Sequence, residues 1–180
     1  MPQKLDFLTP TALRVLEHFF AFPLGEFHER EVMRATAISK GSANRILREL
    51  AELSLLERTG KGRMVFYRLK ADDPFVRQMK AAENVWSLRA FVEGLKKSAR
   101  KVVLFGSCAE GTDAAESDID VLIMTEDKSA ARTAVSAFNR RARRQMAPMI
   151  LDAQEFAALG KEDKPLYERI DRGIVLWEIA

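Results

Sequence analysis

The sequence predicts a two-domain chain of α+β and α/β class, with three helices plus a β-hairpin followed by a mixed sheet with flanking helices. Three observations predict it. Helix-period apolar stripes fill the first third and give way to two strand-like runs around a glycine-rich turn. Asp72-Asp73-Pro74 then punctuates the chain, with Asp73 suited to cap a helix and Pro74 to open it. Beyond that point strand-like and helix-like runs alternate.

Taken in order, Leu13, Leu16, Phe19 and Phe20 recur at helical spacing, and Pro23 and Gly25 end the run. A short helix is expected over about Glu29 to Ala35. Ser39 is placed to cap a third helix reaching about Leu53, with Ala43, Ile46, Leu47, Leu50 and Leu53 as its apolar stripe. Strands follow over Leu55 to Arg58 and Met64 to Leu69, joined by Thr59-Gly60-Lys61-Gly62-Arg63. One helix is expected from Pro74 to about Lys97, burying Phe75, Met79, Trp86, Phe91 and Leu95 and joining the two halves rigidly.

Lys101 to Phe105 and Asp118 to Met124 read as strands, and Ser129 to Gln145 as a helix carrying Arg140, Arg141, Arg143 and Arg144 at its end. These arginines suit a helix C-terminus, or a contact to nucleic acid or triphosphate. Pro148 to Leu151 reads as a short strand. Asp152 and Glu155 form a capping box for the next helix. A helix over Pro165 to Arg172 stops at Gly173, and Ile174 to Trp177 is a last strand. The domains are thus 1–72 and 100–180, with a linking helix over 73–99.

Composition bounds the function. The 180 residues are 47% hydrophobic and 31% charged, which suits a soluble chain with a real core. No apolar run approaches the roughly 20 residues that span a bilayer, and no secretion signal opens the chain. Cys108 is the one cysteine, which excludes an internal disulfide. A cytoplasmic protein without membrane contact is expected. Cys108, His18 and His28 are too scattered for a zinc site. The net charge of +3 does not by itself imply a nucleic-acid partner.

The chemistry concentrates between Val102 and Met124. A strand feeds Gly106-Ser107, ten residues intervene, and Asp118-Ile119-Asp120 opens the next strand. Glycine admits close approach of a phosphate, and serine adds a hydroxyl. Aspartates at i and i+2 of a strand share one face, where a hard cation such as Mg²⁺ relieves their repulsion.

This pattern resembles the polymerase-beta-like nucleotidyltransferase superfamily, and in particular its minimal nucleotidyltransferase branch, over roughly Arg100 to Trp177. The resemblance implies a nucleoside triphosphate held by Gly106, Ser107, Asp118 and Asp120, with Mg²⁺ on Asp118 and Asp120 as the catalytic pair. Transfer of a nucleoside monophosphate to an acceptor would follow. Two positions depart from the family. Ala147 fills the place of the usual third carboxylate, and Glu110 stands where an arginine is common.

The first domain resembles a winged helix-turn-helix over about Thr9 to Lys70. That resemblance implies double-stranded DNA contacts from Lys40, Ser42, Asn44, Arg45 and Arg48 on the recognition helix, and from Lys61 and Arg63 on the wing. Ser54 stands where many such domains have glycine. A dimer on a palindromic site is compatible with it. Two readings stay open: a DNA-linked nucleotidyltransferase, and a catalytically impaired regulator or antitoxin-like protein that senses nucleotide or a toxin-like or acceptor protein partner.

Overall fold

Thr9 starts the first helix, α1 (Pro10–Ala21), by accepting from the Ala12 N–H at 3.2 Å, with Pro10 in the first turn. The computed structural model describes residues 5–179. Helix α1 buries Ala12, Val15, Leu16, Phe19 and Phe20, whereas Leu13 is 39% exposed. The inward stripe thus runs through Val15 and not, as expected, through Leu13. A short strand that no periodicity signalled, β1 (Glu26–His28), comes next, because three residues are too few to show an alternation.

His28 then caps α2 (Glu29–Thr36) in a capping box with Glu31. Ser39 caps α3 (Lys40–Glu52), whose buried residues are Ala43, Ile46, Leu47 and Leu50. Each large apolar side chain so buried contributes roughly 1.5–3 kcal/mol. Leu53 lies just past the helix, and Ser54 takes φ 62° to turn the chain into the hairpin. Strand β2 (Leu56–Lys61) runs further toward the tip than the expected Arg58, while β3 (Met64–Leu69) has the expected bounds. Thr59, Gly60 and Lys61 pair with Phe66, Val65 and Met64, leaving a two-residue turn of Gly62 and Arg63. Gly62 supplies the positive φ of that turn. The antiparallel sheet has the order β1-β3-β2.

The chain divides into two units, one running to Val76 and the other from Arg77 onward. Where one long helix was expected, there are two, α4 (Pro74–Ser87) and α5 (Arg89–Leu95). The Ser87 hydroxyl donates to the Asn84 carbonyl at 2.8 Å, and the Leu88 N–H reaches that same oxygen only at 3.3 Å. Such side-chain competition loosens a helix locally. The buried set also differs from expectation. Trp86 is 69% and Phe75 37% exposed, while Val76, Leu88 and Val92 are buried with Leu95.

The remaining elements are β4 (Ala99–Leu104), α6 (Ser107–Glu110), β5 (Ile119–Thr125), α7 (Lys128–Asn139), β6 (Met146–Leu151), α8 (Ala153–Glu162), α9 (Lys164–Asp171) and β7 (Ile174–Glu178). They build a four-stranded mixed sheet of order β6-β5-β4-β7, in which only β5 and β6 run parallel. Pro148 is tolerated because β6 is an edge strand. One sheet face, with Val102, Leu104, Val121 and Ile123, packs on α5 and α7. The other, with Val103, Phe105 and Leu122, packs on Ile170 of α9, Phe156 of α8 and their neighbours.

Helix α7 stops six residues short of the expected Gln145. Asn139 diverts the chain there, its Oδ1 accepting from Met146 N at 2.8 Å and its Nδ2 donating to Met146 O at 3.2 Å. The four arginines therefore lie beyond the helix, not on its last turn. Among the described residues no helix is long and apolar enough to cross a membrane.

Candidate functional site

Strand β4 delivers Phe105 to Gly106, which turns with φ 67° and ψ −155° into α6. The Ala109 and Glu110 N–H groups both bond the Gly106 carbonyl at 3.1 Å. Among the described residues no hydrogen bond is made by the Ser107 and Cys108 N–H groups outside the helix or by Ser107 Oγ.

Asp120 lies on β5 against this turn. Phe105 N donates to Asp120 O at 3.0 Å, and a Cβ placed on Gly106 would collide with Asp120 Oδ2. Glycine is therefore favoured at 106 by its φ, and a Cβ there would also oblige the Asp120 carboxylate to move. Asp118 sits exposed just before the strand. Alternation along β5 puts Ile119 and Val121 in the α5–α7 core and Leu122 in the α8–α9 core. Asp120 belongs to the α8–α9 face, and Asp118, just before the strand, lies close enough for its charge to act on Asp120. Burial pushes the Asp120 carboxyl above its usual range, Arg169 opposes that rise, and Asp118 adds to it.

The ten-residue spacer is a built structure. A Cβ on Gly111, at φ 68°, would overlap the Arg77 carbonyl, so α4 presses directly on the loop. Asp113 is 5% exposed and joins three parts of the unit. Arg144 donates to Asp113 Oδ2 at 2.8 Å, Asn84 Nδ2 donates to Asp113 Oδ1 at 3.1 Å, and Lys80 Nζ bonds the Asp113 carbonyl. Arg144 also donates to Ser117 O at 2.9 Å and to Cys108 Sγ at 2.8 Å. This network fixes the loop that ends at Asp118. Burial lowers the pKa of Lys80, with Asp113 opposing. Burial also raises the Cys108 thiol to about 11, which leaves it a packing residue rather than a nucleophile.

Sequence reasoning paired none of these network residues. It also missed Arg169, whose guanidinium lies 5.5 Å from the Phe105 ring centroid on the Asp120 side of the sheet. Gly173 was the available signal. A Cβ there would come within 2.5 Å of Leu104 O, so the end of α9 is pinned to β4.

The third acid is absent from its strand. The parallel register sets Ala147 opposite Asp120. Asp152, the nearest acid on that side, is engaged as the α8 cap, accepting from Gln154 N at 3.0 Å, Glu155 N at 2.9 Å and Lys128 Nζ at 2.9 Å. Among the described residues no group of three or more His, Cys, Asp or Glu side chains could hold a metal ion. Asp118 and Asp120 are the residues that would hold Mg²⁺, an ion that takes its other ligands from water and substrate phosphate.

In the first unit, Lys40, Asn44 and Arg48 line a cleft of about 440 Å³ with Glu29, Arg58 and Tyr67. Several candidate DNA contacts are already engaged. Asn44 Nδ2 donates to Glu29 Oε2 at 2.6 Å, Arg45 pairs with Glu49 at 3.3 Å, and Lys61 pairs with Glu26. Ser42 accepts from Ser39 Oγ at 3.0 Å. Lys40, Arg48 and Arg63 are exposed and make no ion pair among the described residues.

A glycine-serine turn closing one strand, with paired aspartates opening the antiparallel strand beside it, defines a nucleotidyltransferase-like domain. Residues 87–171 match the family described as nucleotidyltransferase domain. A protein of Methanosarcina mazei Go1 described as a possible transcriptional regulator is similar at 16% identity, over 48% of this chain and 76% of its own, with a TM-score of 0.37. A candidate nucleotidyltransferase from Sulfolobus solfataricus is similar at 21% identity, over 57% of this chain and 87% of its own, with a TM-score of 0.39. No curated protein matches the sequence.

Proposed function

We propose that the protein is a winged-helix DNA-binding regulator whose nucleotidyltransferase-like domain binds a nucleoside triphosphate as a signal and does not transfer it. The observation that carries this reading is Ala147 opposite Asp120, which leaves the acceptor without a carboxylate general base at the site. Gly106, Ser107, Asp118 and Asp120 remain as a binding set. Mg²⁺ on the two aspartates would neutralise phosphate charge when bound. Gly106 and Ser107 would admit and bond the phosphate chain, and the Asp113–Arg144 network would keep Asp118 in place. On the DNA side, Lys40, Arg48 and Arg63 make no ion pair among the described residues and would serve phosphate and guanine contact. Arg45, Asn44 and Lys61 would first release their carboxylate partners.

The test has two arms. Duplex binding is measured against salt concentration for the full chain, Arg48→Ala and Lys40→Ala, with expected loss of affinity in both variants and a salt slope reduced by about one per lost phosphate contact. In the second arm α-labelled ATP and Mg²⁺ are incubated with the chain in a lysate, and no label transfer is expected. Duplex affinity that is unmeasurable at low salt removes the regulator reading.

A second reading, transfer of a nucleoside monophosphate to a protein, nucleic-acid or small-molecule acceptor, is favoured by Asp120 lying against Gly106. Label transfer abolished by Asp118→Ala and Asp120→Ala would establish it in place of the first. A toxin-like protein partner, as in antitoxin-type relatives of this fold, would be recognised by co-purification independent of both aspartates.

A further inference from the structure

We infer that Arg169 is the phosphate-gripping side chain of the candidate nucleotide site, standing in for the cation that Glu110 fails to supply. The inference rests on the reading of Gly106 to Asp120 as a triphosphate site and names the group that would give that site its affinity.

Asp120 and Leu122 project to the sheet face that carries α8 and α9, and Ile170, the residue after Arg169, is 1% exposed in the core of that face. Gly173 holds the helix end against Leu104, and its N–H bonds Ile170 O at 2.9 Å. Arg169 is therefore fixed between a core anchor and a pinned turn. Its guanidinium rests over the ring of Phe105, the residue that feeds Gly106. The same Phe105 binds the Asp120 backbone through its N–H at 3.0 Å.

Arg169 is exposed and forms no ion pair or hydrogen bond among the described residues. Arg68 and Arg144, in contrast, meet carboxylates at 2.6 and 2.8 Å. A guanidinium carries five N–H donors in one plane, and two of them can take two phosphate oxygens at once.

Asp118 and Asp120 repel a polyphosphate unless a cation lies with them, and Glu110, exposed at the end of the turn helix, adds to that repulsion. Arg169, over the ring of Phe105 beside the turn, brings a positive charge to that sheet face. A metal ion on the aspartates and Arg169 above Phe105 would flank the phosphate chain from two sides.

Binding of Mg²⁺ with a non-hydrolysable ATP analogue, the corresponding GTP analogue, AMP and adenosine is measured by calorimetry on the full chain. Wild type is compared with Arg169→Ala, Arg169→Lys and the neighbouring Arg172→Ala. Loss of a charge-assisted contact predicts triphosphate affinity about 10–100-fold weaker in Arg169→Ala. Arg169→Lys should recover part of it, Arg172→Ala should match wild type, and adenosine binding should be unaffected. Wild type that binds neither triphosphate overturns the nucleotide reading and the inference with it. Wild type that binds while Arg169→Ala stays within twofold, or loses adenosine and triphosphate equally, overturns the role of Arg169 alone.

Discussion

Ala147 stands directly opposite Asp120 in the parallel β5–β6 pair, so the two side chains share a sheet face. Placing an acid at 147 is a direct test of what that position controls. Ala147→Asp should raise the Asp120 carboxyl further above its usual range, because a like charge joins burial and Asp118 in opposing ionisation. A cation relieves that repulsion, so Mn²⁺ affinity, measured by paramagnetic resonance, should tighten on the order of tenfold. If wild type is silent in the labelled-ATP assay and Ala147→Asp is active, the missing acid is the reason. Unchanged Mn²⁺ affinity would remove residue 147 from the site.

Asp113 should carry much of the stability of the second unit. It is 5% exposed and faces Lys80, which is 2% exposed, as well as Arg144. Asp113→Ala strands a buried ammonium and removes the anchor of the Asp118 loop. The cost should be about 3–5 kcal/mol. Asp113→Asn preserves hydrogen-bonding shape and should cost less. Trp177, whose indole donates to Ala99 O at 3.3 Å, lies in this unit and gives the fluorescence signal for a urea titration. A midpoint unchanged in Asp113→Ala would show that Lys80 finds solvent instead.

What the sequence made legible depended on how local the cause was. The α3 stripe of Ala43, Ile46, Leu47 and Leu50 repeats every three or four residues, and the Asp152–Glu155 box spans three, so both could be read directly. The glycine-serine turn and paired aspartates were legible because each motif sits on or beside an apolar strand. The break at Leu88 was not, since it arises from a serine hydroxyl and no proline or glycine marks it. The Asp113–Arg144 pair joins residues 31 apart, and Arg169 reaches Phe105 only once the sheet is formed. Burial in α4 was misjudged because its aromatics were taken as core, whereas Trp86 projects outward with Arg89 at 4.7 Å from its ring. The seven candidate DNA contacts illustrate the same limit, because the winged-helix resemblance placed them on a helix and a hairpin without revealing that Glu29, Glu49 and Glu26 hold three of them.

Ser54 should be a point of strain. It takes φ 62°, with its N–H bonded to Ala51 O at 3.0 Å while Leu55 N–H closes on Leu50 O at 2.9 Å. A left-handed conformation costs an L-residue roughly 1–2 kcal/mol, and glycine escapes it. Greater freedom of glycine in the unfolded chain offsets part of that gain, about 0.4–1 kcal/mol. Ser54→Gly should therefore stabilise the first unit by about 0.5 kcal/mol, and Ser54→Val, β-branched at a positive φ, should destabilise it. Hydrogen exchange of the α3 amides separates this effect from the second unit. Slower exchange in Ser54→Gly is expected, and faster exchange would contradict the strain.

His18 should make the first unit sensitive to acid. Its ring packs against Phe27 at a centroid distance of 4.5 Å and against Phe22 at 5.6 Å, and its Nε2 is buried without a hydrogen-bond partner. Burial lowers its pKa below the ordinary 6.5, with the Glu31 charge opposing. The unfolded chain therefore takes up the proton first as pH falls, so stability is intact above pH 6.5 and is lost progressively below it. The slope cannot exceed one proton, about 1.4 kcal/mol per pH unit. His18→Phe keeps the aromatic packing and removes the titration, so its stability should vary less than that of wild type between pH 7 and 5, by roughly this one-proton slope over part of the interval. A ring-proton NMR titration reads the same quantity directly. A His18 midpoint at or above 6.5 would mean that the ring meets solvent or an acceptor, and the acid sensitivity would have to come from elsewhere.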